Sequence, residues 1–399
     1  MNILEEIQNC PVEWKELGDK NVAKLSRGKV MSKQFLEENK GEFPVYSSQT
    51  ANNGEIGRIS SFEYDGEYIT WTTDGANAGT VFYRRGKFSI TNVCGLVEIN
   101  NNQLLTKFVY YYLTTSTKKY VSSGMGNPKL MSNVMGKIKI PIPPLEIQEK
   151  IVQTLDKFTD YVTELTSELT SELTSRKKQY SYYRDTLLSF EDEVYQVEWK
   201  TLGEVCDVRD GTHDSPNKKA FGKYLITSKN VKNGSINFDS AYFISESDFD
   251  NINKRSKVDI DDLLFTMIGT VGEVAHITEE PDFAIKNVGL IKTQSRILAR
   301  YLLHYLQSTY AKDYILSNSS KGSQVFLGLG KLRNFPIPYV EPEIQSRIVQ
   351  VLDNFDMVCH DLNIGLPKEI ELRQKQYEYF REKLLTFVAE GEYTESRVE

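Results

Sequence analysis

The segment IPIPPLEIQEKIVQTLDKF, residues 140–158, is answered by FPIPYVEPEIQSRIVQVLDNF, residues 335–355, and this correspondence organises the chain. Upstream, VEWKELG (12–18) is matched by VEWKTLG (197–203), and downstream RKKQYSYYRDTLLSF (176–190) by RQKQYEYFREKLLTF (373–387). From Glu146/Glu343 through Arg176/Arg373 to Phe190/Phe387 the offset stays at 197. Self-similarity at that scale marks an internal duplication, and the constant offset predicts two helical segments of equal length.

The helical segments carry a stripe. In the first copy it runs through Leu155, Phe158, Val162, Leu165, Leu169 and Leu173, then Arg176, Tyr180, Tyr183 and Leu187. The second copy places Leu352, Phe355, Cys359, Leu362, Leu366, Ile370, Arg373, Tyr377, Phe380 and Leu384 at the same spacings. Alternating steps of three and four make a heptad seam with one additional step of four, a stutter. In the first copy the stutter falls inside TELTSELTSELTS (163–175), a tandem T-S-E-L tract. A stripe of this kind needs a partner in water, and the matched segment of the same chain is the obvious one, paired antiparallel. Roughly 45 residues of straight helix would reach about 65–70 Å, although Gly365 and Pro367 predict a kink or break in the second copy. One T-S-E-L unit adds about 6 Å of helix and about 40° of rotation, against about 3.4 Å for a base pair, so the tract reads as a spacing device.

Between each VEWK and the next PIP lie about 130 residues with strand alternation and Gly/Asn turn signals. Examples are EYITWTTDGANAGTVFYRRGKFSITNVCGLVEI (67–99) and DLLFTMIGTVGEVAHITEEPDFAIKNVGLIKT (262–293). Each region closes on an amphipathic helix, KFVYYYLTTSTKKY (107–120) or RYLLHYLQSTYAKDY (300–314), whose aromatics suit a helix lying on a sheet. The predicted class is α+β: two pseudo-symmetric mixed α/β domains, 1–142 and 191–338, separated by an antiparallel two-helix coiled coil built from 143–190 and 339–399.

Composition narrows the function. With 399 residues, 40% hydrophobic and 26% charged, the chain is of ordinary globular type and long enough for two or three cores. It contains no run of 18 apolar residues and opens on the acidic MNILEEIQNC, so neither a membrane span nor a secretory signal is expected; the expected compartment is the cytoplasm. Cys10, Cys94, Cys206 and Cys359 lie far apart and predict free thiols and no metal site. The net charge of -7 is unevenly spread. Residues 1–142 hold 17 basic against 14 acidic side chains and 191–338 hold 18 against 20, so the acid concentrates in the helical segments. A near-neutral domain can still offer a basic face to nucleic acid.

Catalytic signatures are missing. No phosphate loop, no dinucleotide fingerprint and no Asn/Asp-Pro-Pro-Tyr segment of the adenine methyltransferase kind occurs, and the four histidines pair with no nucleophile. Recognition is better served by amide-rich and basic loops: VYSSQTANNGEIGR (45–58), SGMGNPKLMSN (123–133), RDGTHDSPNKKAFGK (209–223), ITSKNVKNG (226–234) and SSKGSQ (319–324). Amides read adenine bidentately, Arg and Lys read guanine, and others hold phosphates. The candidate DNA-binding residues are Ser48, Gln49, Asn52, Asn53, Arg58, Thr73, Asn77 and Lys129 in the first domain. In the second they are His213, Lys218, Lys219, Ser228, Lys229, Asn230, Lys321 and Gln324.

The order VEWKxLG, strand-rich region, PIPPLEIQ and RKKQYxYYRxxLL, written twice, resembles the specificity (S) subunit of type I restriction-modification enzymes. The segments TTDGANAGTVFY (72–83), GNPKL (126–130), DGTHDSP (210–216) and LLFTMIGTVGEVA (263–275) resemble its target-recognition domains. The resemblance implies two target-recognition domains, each binding half of a bipartite double-stranded DNA target, and helices that set the spacer. It implies two docked modification (methyltransferase) subunits and further restriction (motor and nuclease) subunits as partners. It places S-adenosylmethionine, ATP and Mg on those partners and no cofactor or catalytic residue in this chain. Two alternatives stand beside it: a self-contained methyltransferase/nuclease, and an interaction scaffold that does not bind DNA.

Overall fold

The computed structural model describes residues 3–122, 126–190, 196–232, 234–320, 322, 325–360 and 365–387. The chain divides into two compact units, the first made of residues 1–165 with 372–399 and the second of residues 166–371.

The elements met from the N-terminus are α1 (Ile3–Asn9), β1 (Glu13–Glu16), β2 (Ala23–Arg27), α2 (Lys33–Glu38), β3 (Lys40–Tyr46), β4 (Glu55–Ile59), β5 (Tyr64–Thr72), β6 (Val81–Ile90), β7 (Cys94–Ile99), α3 (Thr106–Ser116), α4 (Ser132–Met135), β8 (Lys139–Ile142) and α5 (Leu145–Ser189). A six-stranded sheet has the order β2-β7-β5-β6-β3-β4. Its one parallel pair is β3 with β6. The VEWK and PIP motifs form a separate antiparallel ladder, β1 with β8, in which Trp14 faces Pro141. Phe108 and Val109 of α3 cover the sheet core around Ile69, Trp71 and Val97, and Ile147, Ile151 and Leu155 of α5 join the same cluster.

The second unit repeats the plan with shorter strands: β9 (Glu198–Thr201), α6 (Leu202–Val205), β10 (Asp207–Asp210), β11 (Lys223–Ile226), β12 (Val231–Lys232), β13 (Ser235–Ile236), β14 (Tyr242–Ile244), α7 (Glu246–Ser256), β15 (Leu263–Thr266), β16 (Val274–His276), β17 (Phe283–Ile285), β18 (Val288–Lys292), α8 (Arg296–Leu306), α9 (Thr309–Asn318), α10 (Leu329–Arg333) and β19 (Pro336–Tyr339), followed by α11 (Pro342–His360) and α12 (Leu366–Leu384). Its sheets run β10-β18-β15-β16 and β14-β11-β17, with β12 paired to β13 and β19 to β9. Again one pair is parallel, β11 with β17. Again the VEWK strand meets the PIP strand, with Trp199 facing Pro338.

The helices knit each unit in the same way. In the first, Phe158 of α5 stacks on Phe380 of α12 at 5.8 Å, and Thr159 shares a 2.9 Å hydrogen bond with Tyr377. In the second, Tyr183 stacks on Phe355 at 5.2 Å, while Cys359 feels the charges of Lys177 and Arg176. Partner numbers fall as the α5 numbers rise in both places, so the pairing is antiparallel, as the seam predicts. Each unit thus contains the first half of its own exit helix and the last half of the other copy's.

The seam is not uniformly deep. Leu155 and Leu352 are fully buried, whereas Val162, Leu165, Leu169, Leu173, Phe355 and Ile370 are half-buried and Phe158 is exposed by a third; Leu362 lies outside the described residues. The expectation of two equal helices is corrected. The first segment is one 45-residue helix, and the second is two of 19 residues each, with Gly365 at a bend before α12. Pro367 sits in the first turn of α12, where a missing N–H breaks no helical bond. The T-S-E-L tract has no such residue, and its Thr170 and Thr174 hydroxyls donate back to carbonyls one turn earlier. Among the described residues no helix is long and apolar enough to cross a membrane.

Candidate nucleic-acid interface

In both units the parallel strand pair delivers its C-terminal ends to one rim. Behind β3, Thr91 N–H donates to the Tyr46 carbonyl and Asn92 N–H to the Lys29 carbonyl. Behind β11, Lys286 N–H donates to the Ile226 carbonyl and Asn287 N–H to the Thr212 carbonyl. These are equivalent positions in FSITN and FAIKN. Gly211 passes so close to this pair that a Cβ would lie 2.5 Å from the Ile285 carbonyl oxygen, and its counterpart Gly28 is tighter still against Ile90. Only glycine fits there.

In the first unit three segments are tied together at the rim. The loop after β3 is closed by Ser47 N–H donating to the Gly54 carbonyl, and the Gln49 amide donates to the Glu55 carbonyl at 2.7 Å. The turn after β5 reaches it through Asn77 Nδ2, which donates to Thr50 Oγ1 at 3.1 Å. The 128–130 segment is held by Gly75 N–H to the Pro128 carbonyl and Leu130 N–H to the Thr73 carbonyl. Gln49, Asn52, Asn53, Asn77 and Lys129 are exposed on this assembly and Ser48 is half-exposed. Asn52 and Asn53 adopt left-handed backbone angles, φ 49° and 54°. Asparagine tolerates this conformation better than most residues.

Two of the expected contacts are otherwise engaged. Thr73 is buried and its hydroxyl donates to the Val93 carbonyl at 2.8 Å. Arg58, on β4, spends its guanidinium on the Glu55 carboxylate and the Glu42 carbonyl. Thr73 shapes the turn from below, and Arg58 stands on the strand.

The second unit builds its rim from charge. His213 Nε2 lies 3.0 Å from Asp210 Oδ2, and Nδ1 lies 2.8 Å from the Asn287 side-chain amide. Arg255 closes on the other Asp210 oxygen, and Lys286 reaches Ser215. Ser228 Oγ donates to the Asn287 carbonyl, which itself belongs to a left-handed residue at φ 54°. Lys229 is exposed, and Lys218 sits 4.9 Å above the Tyr242 ring, while the Lys219 backbone donates to Phe243. Asn230 is buried, its amide accepting from Thr227 and donating to Asn237 and Ser240, so it fixes the loop from within. Lys321 and Gln324 lie outside the described residues.

Sequence reasoning overlooked three elements: Asn287 and Asn92 at the heart of each rim, Arg84 beneath the first, and a clamp joining each domain to its exit helix. The repeated F-[SA]-I-x-N was the available signal for the asparagines. In the clamps, Asp156 of α5 accepts from Lys107 Nζ at 2.7 Å and Tyr111 Oη at 2.5 Å. Its counterpart Asp353 of α11 accepts from Arg300 Nε at 2.9 Å and lies 2.7 Å from His304 Nε2. The far nitrogen of His304 meets Tyr180 Oη at 2.8 Å. Burial pushes the His304 pKa below its ordinary value, with the hydrogen bond to Asp353 opposing. Burial raises Asp353, yet the bonds from His304 and Arg300 outweigh it and hold the carboxyl below its usual range. Among the described residues no group of three or more His, Cys, Asp or Glu side chains is placed to hold a metal ion.

Comparison with known proteins adds a family. The model described as the type I restriction modification DNA specificity domain matches the chain twice, over residues 11–175 and 196–372. A putative type I specificity subunit of Mycoplasma pneumoniae is 31% identical over 380 residues, covering 92% of this chain and 96% of the relative. Another from the same organism, an N-terminal specificity subunit segment, is 52% identical over 174 residues, 43% of this chain and 93% of that one. A solved structure described by complex assembly and conformational transition of the type I R-M system covers 94% of this chain and 98% of its own, with TM-score 0.60 at 17% identity, a likeness of fold.

Proposed function

We propose, from the premise that the chain belongs to the type I restriction-modification DNA specificity family and carries its specificity domain twice, that each unit reads one half of a bipartite duplex target through the rim where its parallel strands end. The observation that carries this reading is a single strand frame used twice with unlike side chains at equivalent places: four amides and Lys129 in one unit, an Asp–His–Asn group with lysines in the other. A frame supplies position, and the side chains on it supply base preference.

Further parts of the reading follow from the family. The helices set the distance between half-sites and dock two modification subunits, with restriction subunits joining the assembly. This chain performs recognition and no chemistry, and S-adenosylmethionine, ATP and Mg belong to its partners. The unbroken course of α5 through the T-S-E-L tract supports a spacing role, because a continuous helix transmits each added turn as length and rotation.

The test is a methylome. Exchange of residues 1–142 for the corresponding region of a relative, in cells carrying the cognate methyltransferase, should rewrite one half of the methylated sequence and spare the other. Rewriting of both halves, or methylation without sequence preference, would overturn the reading.

A further inference from the structure

Arg84 is the least expected residue of the first unit. It sits on β6, is only 3% exposed, and has no carboxylate partner among the described residues. A buried guanidinium normally demands a counter-charge, since its charge survives any realistic change in environment. Here its needs are met by neutral groups. Nε donates to Thr70 Oγ1 at 3.1 Å, Nη2 donates to the Asn53 carbonyl at 2.7 Å, and the plane lies 3.5 Å from the Tyr46 ring centroid.

The loop it touches is strained. Asn52, Asn53 and Gly54 take three successive left-handed conformations, φ 49°, 54° and 81°. Two of these are asparagines, which tolerate such angles singly, but two in succession before a glycine are held by the contacts around them. The bond to the Asn53 carbonyl is such a contact, and it is charge-assisted. The same guanidinium leaves uncompensated positive charge directly under two exposed amides.

We infer that Arg84 is a positioning residue for sequence reading by the first unit: its fork locks the Asn52–Asn53 turn in the pose that meets a base edge, and its unpaired charge favours a duplex phosphate beside that turn. This inference rests on the DNA-reading function proposed above. An asparagine presented rigidly can bond adenine bidentately, whereas one on a loose turn pays the ordering cost at binding and discriminates less.

The experiment uses the full chain assembled with its methyltransferase and a randomised duplex library, read as relative affinity at every base position. Arg84→Lys keeps the charge and loses the fork; Arg84→Gln loses both. Both variants should flatten preference about tenfold at one or two positions of one half-site, leaving the other half-site as in the wild type. Arg84→Gln should also weaken the salt dependence of binding, which Arg84→Lys should retain. Thr70→Val, which removes the Nε acceptor and leaves the fork's bond to the Asn53 carbonyl in place, should move the same positions less, and it serves as the readout if the Arg84 variants fail to fold. Wild-type preference at all positions in folded variants, or an equal loss of affinity for every sequence, would overturn the inference. A wild-type complex with no sequence preference would instead remove the DNA-reading function beneath it, and the inference would fall with it.

Discussion

In the first unit the carboxylate of α5 is held by a lysine and a tyrosine, and the rim above the parallel strands carries neutral amides beside one lysine, Lys129. In the second the matching carboxylate of α11 is held by an arginine and a histidine, and the rim carries Asp210, His213 and Asn287. The shared parts are backbone hydrogen bonds and close glycine contacts, which permit little substitution. The divergent parts are side chains that point away from the frame, or that satisfy one carboxylate in more than one way. All four histidines of the chain, at 213, 276, 304 and 360, belong to the second unit. The duplication therefore preserved geometry and let side-chain chemistry drift apart.

The largest effect is expected from separating the two readers' spacing from their preferences. Deleting one T-S-E-L unit from 163–174 should abolish methylation of the original target and create a target with a shorter spacer and both half-sites unchanged. Mapping methylated adenines checks it, and an altered half-site would break the separation of frame and rim. Next in size is the clamp. Asp353→Ala takes the nearer carboxylate from a largely buried guanidinium, which keeps Asp356 at 3.2 Å, and removes the partner of His304 Nε2; it should cost about 2–3 kcal/mol, whereas Asp156→Ala, beside a more exposed lysine, should cost about 1–2 kcal/mol. Denaturant unfolding of the two variants measures the difference, and equal losses would mean that the clamps are equivalent after all.

A third experiment tests the rim of the second unit alone. His213→Ala removes the group bridging Asp210 and Asn287 and should relax discrimination in one half-site by about 1–2 kcal/mol. Binding competition with single-base variants of the target reads this out, and any change in the half-site governed by residues 1–142 would count against the assignment. The smallest effect is that of pH. His304 is held below its ordinary pKa by burial, so on acidification the unfolded chain takes up that proton first. Its contribution to stability is complete above about pH 6.5 and declines below it, by at most about 1.4 kcal/mol per pH unit. Burial likewise depresses His276 and adds in the same direction, while Asp353, also depressed, yields only in stronger acid. Hydrogen exchange at pH 7 and 5.5 should show loosening confined to the second unit, and His304→Gln should diminish it.

The duplication, the helical seam and its antiparallel pairing were legible because they are periodic, and periodicity is visible without coordinates. The break in the second helical segment was legible as a tendency, since glycine and proline act on the backbone locally. The clamps were not, because Asp156 and Lys107 lie 49 residues apart and nothing local announces that they meet. Within the loops, residue type indicated polarity but not direction. Thr73 and Asn230 belong to the polar loops that the sequence singles out, yet turn inward, since a buried loop backbone must find donors and acceptors and short polar side chains supply them. Arg84 was illegible for the opposite reason: a cation in a strand suggests solvent, and only the rings of Tyr46 and Phe82 and two neutral acceptors around it make burial tolerable.

The ladder joining VEWK to PIP has a final consequence. Because Trp14 faces Pro141 and Trp199 faces Pro338, the strand that leads into each reading domain and the strand that leads out of it are zipped side by side. A module whose two ends meet can have its interior rewritten wholesale without asking anything of the chain on either side. New specificities can then be grafted between two fixed seams, with the mechanical strain of novelty confined to the graft.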